Sequence, residues 1–514
     1  MELLQSAQFA NHVRKLMDHH SVTGLAISLV QDQELISLAV GKASLEPSTA
    51  FTPDSLIRVG SLSKCLTAAA VALLVHDNER YPDVQYETPI ASLLPGDFVM
   101  PGADHDDVTL EDILNHQTGM PTHELALFGP NAKHPDNACS ITRNLRNLAP
   151  VAPNRTEFIY CNMMYTVATH VIEQQTKTKF GDFLEAHLLR PLQMNSTALF
   201  KSRVEANGLL GRVATGYLRC KKTKSFNEAV HRESPESQGA SEIHSSASDY
   251  AKWIKALINR ESPITDEIYE SLTKRRVEQD RLTEEPLHEA QLIHYTFGWD
   301  VAKYEDYTIL SHEGGDIGYH CIQFFMPELK FGGAIFSNSD HASTLMGRLK
   351  YRLIDERIHG PCAEDPTSEV KADDLPGDSV SEDSEDEYYQ ERIEDVRQGI
   401  CPGITDVLPQ ELPLSVYTGQ YWNPGYRSIL VEEDNGSLVI NAQDRSLRFT
   451  VTFIHVCDQT KYVAILHLGP DPDIITEAEF ILAGGTATKV GIHLEERLEE
   501  KIWFERVYLE EEQR

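Results

Sequence analysis

The stretch from Arg58 to Leu74, RVGSLSKCLTAAAVALL, leaves this chain the least freedom. From Leu66 to Leu74 it carries no charged residue and is rich in alanine and leucine. That pattern predicts a helix with no polar face, and such a helix must be enclosed on every side. Enclosing it takes a sizeable domain, and 514 residues suffice for two or three. Yet the helix opens with Ser61 and Lys64, and lysine is rarely buried unless it is paired or chemically employed.

Residues three apart on a helix share a face, so Ser61 and Lys64 place a hydroxyl beside an amine. An apolar surround disfavours the charged amine and lowers its pKa from about 10.4 toward neutrality. A neutral amine can take the serine proton and turn the hydroxyl into a nucleophile. The start of the helix adds backbone N–H groups suited to an oxyanion. The same two residues also fit a capping serine and a lysine that snorkels to solvent. A second Ser-x-x-Lys runs from Ser271 to Lys274, but RRVEQDR follows it and marks an exposed helix end, not a site.

The rest of the chain divides by composition. Between Glu364 and Asp395 there are 14 acidic residues against two basic ones, Lys371 and Arg392, a density that predicts a mobile linker over 361–408. Before it, 1–360 reads as one mixed α/β domain. An amphipathic helix with Phe9, Val13, Leu16 and Met17 on one face comes first, then two strands, GLAISLV and ELISLAVG. Helices dominate from about residue 60 to 260, and short apolar strands return through FGWDVA, YTILSHEGG, CIQFFMPE and FGGAIFSN. After the linker, 409–514 holds eight short strand-like runs, with Asn435-Gly436 a hairpin turn between two of them; a small barrel or sandwich is expected.

Net charge of −33 argues against nucleic acid and anionic membrane as partners. No run reaches the roughly 18 apolar residues of a membrane span, and the N-terminus lacks a signal-peptide core. The eight cysteines show no CxxC and no framework spacing, so free thiols and a cytoplasmic location are expected. Histidine pairs such as His19-His20 lack metal-site spacing, and phosphate-binding glycine loops are absent; no cofactor and no metal are expected.

Two further motifs stand in order behind Ser61 and Lys64. FIYCNMMYTVATHVIEQ holds Tyr160 and Asn162 ahead of a helix, and LSHEGGDIGYH holds His312, Gly314 and Gly315 at the end of a strand. With these the sequence resembles the serine β-lactamases and penicillin-binding proteins, especially the branch of class C β-lactamases, D-aminopeptidases, family esterases and lovastatin-type acyltransferases. VTLEDILNHQTGMP, GASEIHSSASDYAKWIKAL and YTFGW are similar to further segments of that branch, and the likeness covers about residues 5–358. It implies a β-lactamase/transpeptidase-like α/β (α+β) catalytic domain, with an antiparallel sheet flanked by helices and a helical subdomain. The tail, LSVYTGQYWNPGYRSILVEEDNGSLVI, resembles a lipocalin-like all-β barrel attached to many members.

The resemblance implies a role for each matching residue. Ser61 is the nucleophile that becomes acylated, and Lys64 the general base or the group that sets the base's electrostatics. Tyr160 shuttles the proton among serine, leaving group and incoming nucleophile; Lys64 and Tyr160 titrate as a unit, and which of them is the base stays open. Asn162 orients the substrate amide or the lysine. The oxyanion hole comes from the backbone N–H groups of Ser61 and Gly315, and Gly314 admits the substrate closely. His312 stands where the β-lactamases place a lysine that helps to hold a carboxylate, and histidine is mostly neutral near pH 7. Neutral acyl donors are therefore expected. The function implied is hydrolysis of an ester, thioester or amide of a small molecule or peptide through an acyl-serine. Acyl transfer to an alcohol or amine, and an idle scaffold that keeps the fold for binding, stand as alternatives.

Overall fold

In the computed structural model the described residues are 1–220, 223–282, 292–360, 382–403, 408–469 and 473–508. Contacts divide the chain into two units. One comprises Met1–Met120, Asn137–Leu145 and Ala152–Pro361, the other Pro121–Asp136, Arg146–Val151 and Cys362–Arg514.

The first unit is built on a nine-stranded antiparallel sheet. Its strands run, edge to edge, Thr49–Ala50, Glu34–Ser44, Gly24–Gln31, Phe331–Ser337, Tyr319–Met326, Tyr307–Asp316, Trp299–Tyr304, Leu292–Thr296 and Val277–Leu282. Early and late strands of this unit lie side by side within the sheet, where Ile27 pairs with Ile335. Gly24–Gln31 and Phe331–Ser337 are buried almost throughout, as strands covered on both faces must be. The helices Ala7–His19 and Ser343–His359 join one apolar core with them; Phe9, Val13, Leu16 and Met17 all lie in it, as the amphipathic pattern predicts. Against Phe331–Ser337 also lies the helix Ala247–Asn259. A β-carbon on Gly332 would stand 2.9 Å from Ile254 Cγ2, so glycine there permits the close approach.

The remaining helices form the helical part. Ser63–Val75 lies within it, and 12 of its 13 residues are buried, Lys64 included. Its lack of a polar face is thus satisfied by enclosure.

The second unit holds a closed barrel of eight antiparallel strands, from Gly419–Asn423 to Ile502–Arg506. Asn435 and Gly436 both take positive φ, 50° and 79°, between the second and third strands, the geometry of a tight hairpin turn. Rings of Tyr417, Tyr421, Phe453, Tyr462 and Phe480 are buried and touch one another at centroid distances of 5.1–6.4 Å, so aromatic packing occupies this part of the barrel. Two short pieces from earlier in the chain belong to this unit. His123 accepts or donates at Tyr426 Oη across 2.8 Å, its backbone N–H donates to Glu495 at 2.8 Å, and Asp136 pairs with Arg427 at 2.7 Å. Nothing in the composition of 121–136 or 146–151 marks them out.

Two expectations need correction. The stretch read as one acidic linker contains a helix, Glu382–Ile400; residues 361–381 and 404–407 lie outside the described residues. Tyr389, Ile393, Val396 and Ile400 recur at helical spacing and pack on Val456, Val463 and Ile465 of the barrel, a stripe that the acidic average conceals. Cys401 and Cys457, read as free thiols, form a disulfide. The helix end delivers Cys401 to a strand 56 residues further on, a proximity that spacing alone does not reveal. Among the other described cysteines, Cys65, Cys139 and Cys321 carry free thiols. Among the described residues no helix is long and apolar enough to cross a membrane. Peptide mapping without reductant is expected to return Cys401 and Cys457 in one linked pair that separates on reduction; alkylation of both as free thiols would contradict the pairing.

Candidate active site

The strand Ile57–Arg58 ends at Val59, and Gly60 turns the chain with φ of 48° into a single 3-10 turn, Gly60–Leu62, ahead of the helix Ser63–Val75. Glycine is needed there twice over. The φ is left-handed, and a β-carbon would stand 2.5 Å from the carbonyl oxygen of Gly315. The turn leaves Ser61 partly exposed while Lys64 is fully buried. Lys64 Nζ donates to Ser61 Oγ at 2.9 Å and to the Ala240 carbonyl at 3.2 Å. It also lies 4.7 Å from the ring centre of Tyr160 and 5.7 Å from that of Tyr165, where the π faces favour a cation.

Tyr160 comes from the extended segment before the helix Asn162–Thr176, and its hydroxyl bonds Ser61 Oγ at 2.9 Å. His116 holds this segment. Its Nδ1 accepts the Cys161 N–H at 3.0 Å, its carbonyl accepts the Ile159 N–H at 2.8 Å, and its ring lies 4.2 Å from that of Tyr160. Burial, with Lys64 and His312 nearby, holds the His116 pKa well below the usual histidine range, so the ring is neutral. Asn162 opens the helix beside Tyr160 and is half-buried.

The third segment is the strand Tyr307–Asp316, paired with Tyr319–Met326. Gly314 is buried, and a β-carbon on it would stand 2.1 Å from the Val59 carbonyl oxygen, so any side chain there would push the strand off the Ser61 turn. Gly315 is exposed. His312 is buried, with Nδ1 2.7 Å from the Glu313 carbonyl; the carbonyl can only accept, so Nδ1 carries the proton. Burial lowers the His312 pKa; Asp300 opposes this and Lys64 adds to it, and the ring is neutral near pH 7.

Three separate segments thus bring Ser61, Lys64 and Tyr160 into direct contact, while Gly315 closes on the Ser61 turn. Ser271 is elsewhere: its hydroxyl donates back to the Ile268 carbonyl at 2.8 Å, and Lys274 is exposed past the helix end. Sequence reading missed Tyr165 and the buried Arg58, which pairs with Glu242 and Asp316. A lone arginine in the apolar run LIRVG was the available signal for Arg58. Among the described residues two side-chain groups could share a cation. One, Cys401, Cys457 and Asp458, is consumed by the disulfide. In the other, Asp97, Cys139 and His170, the carboxylate already accepts from Arg143 at 2.6 Å and lies 3.0 Å from His170 Nε2.

The family model described as beta-lactamase matches residues 9–356, and one described as a domain of unknown function (DUF3471) matches 406–506. The chain is 33% identical to an unguisins hydrolase of Aspergillus campestris over 508 residues, 97% of this chain and 91% of that protein. It is 26% identical to a D-aminopeptidase of Brucella anthropi over 220 residues, 40% of this chain and 39% of that one. Among solved structures, the octameric penicillin-binding protein homologue of Pyrococcus abyssi superposes with a TM-score of 0.57 at 19% identity, over 96% of this chain and 98% of that one. By fold and by these matches the chain belongs to the beta-lactamase family, the group that unites serine β-lactamases with penicillin-binding proteins.

Proposed function

We propose that the chain is a serine hydrolase that cleaves an amide or ester through a covalent acyl-Ser61 intermediate. One observation carries this reading: Ser61 Oγ lies 2.9 Å from both Lys64 Nζ and Tyr160 Oη, within proton-transfer reach of each. As Ser61 Oγ bonds to the substrate carbonyl carbon, its proton passes to the Lys64–Tyr160 pair. The carbonyl oxygen takes up the negative charge and faces the N–H groups of Ser61 and Gly315. Collapse expels the amine or alcohol, which takes the proton back from the pair. Water then attacks the acyl-enzyme, gives its proton to the same pair, and releases the acid with Ser61 restored. Asn162 orients the substrate amide at the mouth of this arrangement.

Water is the acceptor in this reading because the relatives are named for cleavage, one an unguisins hydrolase and another a D-aminopeptidase. An unguisin or a related amide of a small molecule or peptide is the substrate class we assign. A neutral His312 in place of a fixed cation favours donors without a carboxylate at that position.

Ser61→Ala should lower kcat on the best amide or ester substrate by about 10⁴-fold or more with the fold intact, whereas Ser271→Ala should leave it within twofold. Equal losses in the two variants would contradict the assignment of the nucleophile. For His312, compare kcat/KM on a matched methyl ester and free-acid pair. Wild type should prefer the ester across pH 6–8, because the lowered histidine pKa confines the charged ring to more acid conditions. His312→Lys should shift the ratio toward the free acid. A wild-type preference for the free acid would overturn the reading of His312.

A further inference from the structure

Three residues upstream of Ser61, a buried guanidinium ties the Ser61 turn to the end of the Gly315 strand and to the segment that follows Ala240. Arg58 is 9% exposed. It forms an ion pair with Asp316 at 2.7 Å, a second one with the almost fully buried Glu242, and a hydrogen bond to the Arg232 carbonyl at 3.3 Å. Each carboxylate adjoins a working group. Asp316 directly follows Gly315 at the end of its strand, and its Oδ1 accepts the Ile317 N–H at 2.7 Å, fixing the chain's exit. Glu242 lies two residues after Ala240, whose carbonyl accepts from Lys64 Nζ, and just before the strand Ile243–Ser245 that pairs with Ile57–Arg58.

The pairing geometry explains why an arginine is needed. The planar guanidinium presents donors in several directions and cannot be deprotonated under ordinary conditions, so one side chain can serve two carboxylates on separate segments. Burial opposes its charge, but Asp316 and Glu242 outweigh that and raise its pKa. Burial pushes Glu242 up to about 8, with Asp316 adding to the rise and Arg58 opposing it. The backbones being clamped have almost no slack: a single β-carbon at Gly60 would meet the Gly315 carbonyl at 2.5 Å, and one at Gly314 the Val59 carbonyl at 2.1 Å.

We propose that Arg58 is a positioning residue that, through Asp316 and Glu242, holds the Gly315 N–H and the Ala240 carbonyl in register with the Ser61 turn. The proposal rests on the acyl-Ser61 reading given above. Arg58 touches neither substrate nor the reacting atoms; it sets where the oxyanion donor and the Lys64 partner stand. Oxyanion donors act on the transition state more than on the bound substrate, so loosening the clamp should lower kcat with little change in KM. Removing one such donor outright costs on the order of 10²–10³-fold in kcat, and displacing it should cost about tenfold or more.

The test uses the full chain and p-nitrophenyl acetate. Arg58→Met is the direct variant, and Asp316→Asn, nearly isosteric and at a strand end, decides the matter if Arg58→Met does not fold. Asp316→Asn should keep the wild-type far-ultraviolet circular dichroism, lose about tenfold or more in kcat, and hold KM within about threefold. Arg58→Lys, which retains the charge but not the fork, should fall between wild type and Arg58→Met. A folded Asp316→Asn with kcat within twofold of wild type, or with its whole loss in KM, would overturn the proposal. Ser61→Ala measured alongside separates the two readings. If it still turns over the ester, the nucleophile assignment has failed; if it is inactive and Asp316→Asn is not impaired, only the clamp has failed.

Discussion

The first unit depends on an amine buried without any solvent contact. Lys64 lies on a helix that is apolar on every side, and a polar group placed there costs free energy unless it is bonded. One partner, Ser61 Oγ, is a turn away; the others, the Ala240 carbonyl and the rings of Tyr160 and Tyr165, come from distant parts of the chain. Satisfying one nitrogen therefore fixes the Ser61 turn, the segment before the Asn162–Thr176 helix and the loop before Ile243–Ser245. The same contacts place the serine hydroxyl where its proton can leave. On the proposed reading, structural need and chemical use coincide in this one side chain.

Glycine supplies the second constraint. Gly60 and Gly314 let two backbones approach more closely than any side chain allows, and the exposed Gly315 lies beside them. The close approach is what would turn a strand end into half of an oxyanion site. The Arg58–Asp316 ion pair spans the same two backbones and adds charge to a contact that side-chain packing cannot reinforce.

Much of this was legible in the sequence. Ser61 with Lys64 stood out because a lysine opens a helix with no polar face, and Tyr160, His312, Gly314 and Gly315 were found through motif order. The barrel was visible in eight short strand runs and in Asn435-Gly436, and its closure is a property of the whole set of strands. What was not legible depends on proximity or on averaging. The Cys401–Cys457 bond and the Arg58 pairs join residues remote in sequence. The Glu382–Ile400 helix hid its apolar stripe within an acidic mean, and 121–136 is too short and too mixed for composition to assign it to the second unit.

The central claim, that Ser61 forms the acyl bond, is most directly tested by intact-mass and peptide-level spectrometry after a short incubation with an activated ester or a fluorophosphonate. The account predicts a single stoichiometric adduct located on Ser61 and lost in Ser61→Ala. A stable adduct on another residue, or substrate turnover with Ser61 never modified, would contradict it.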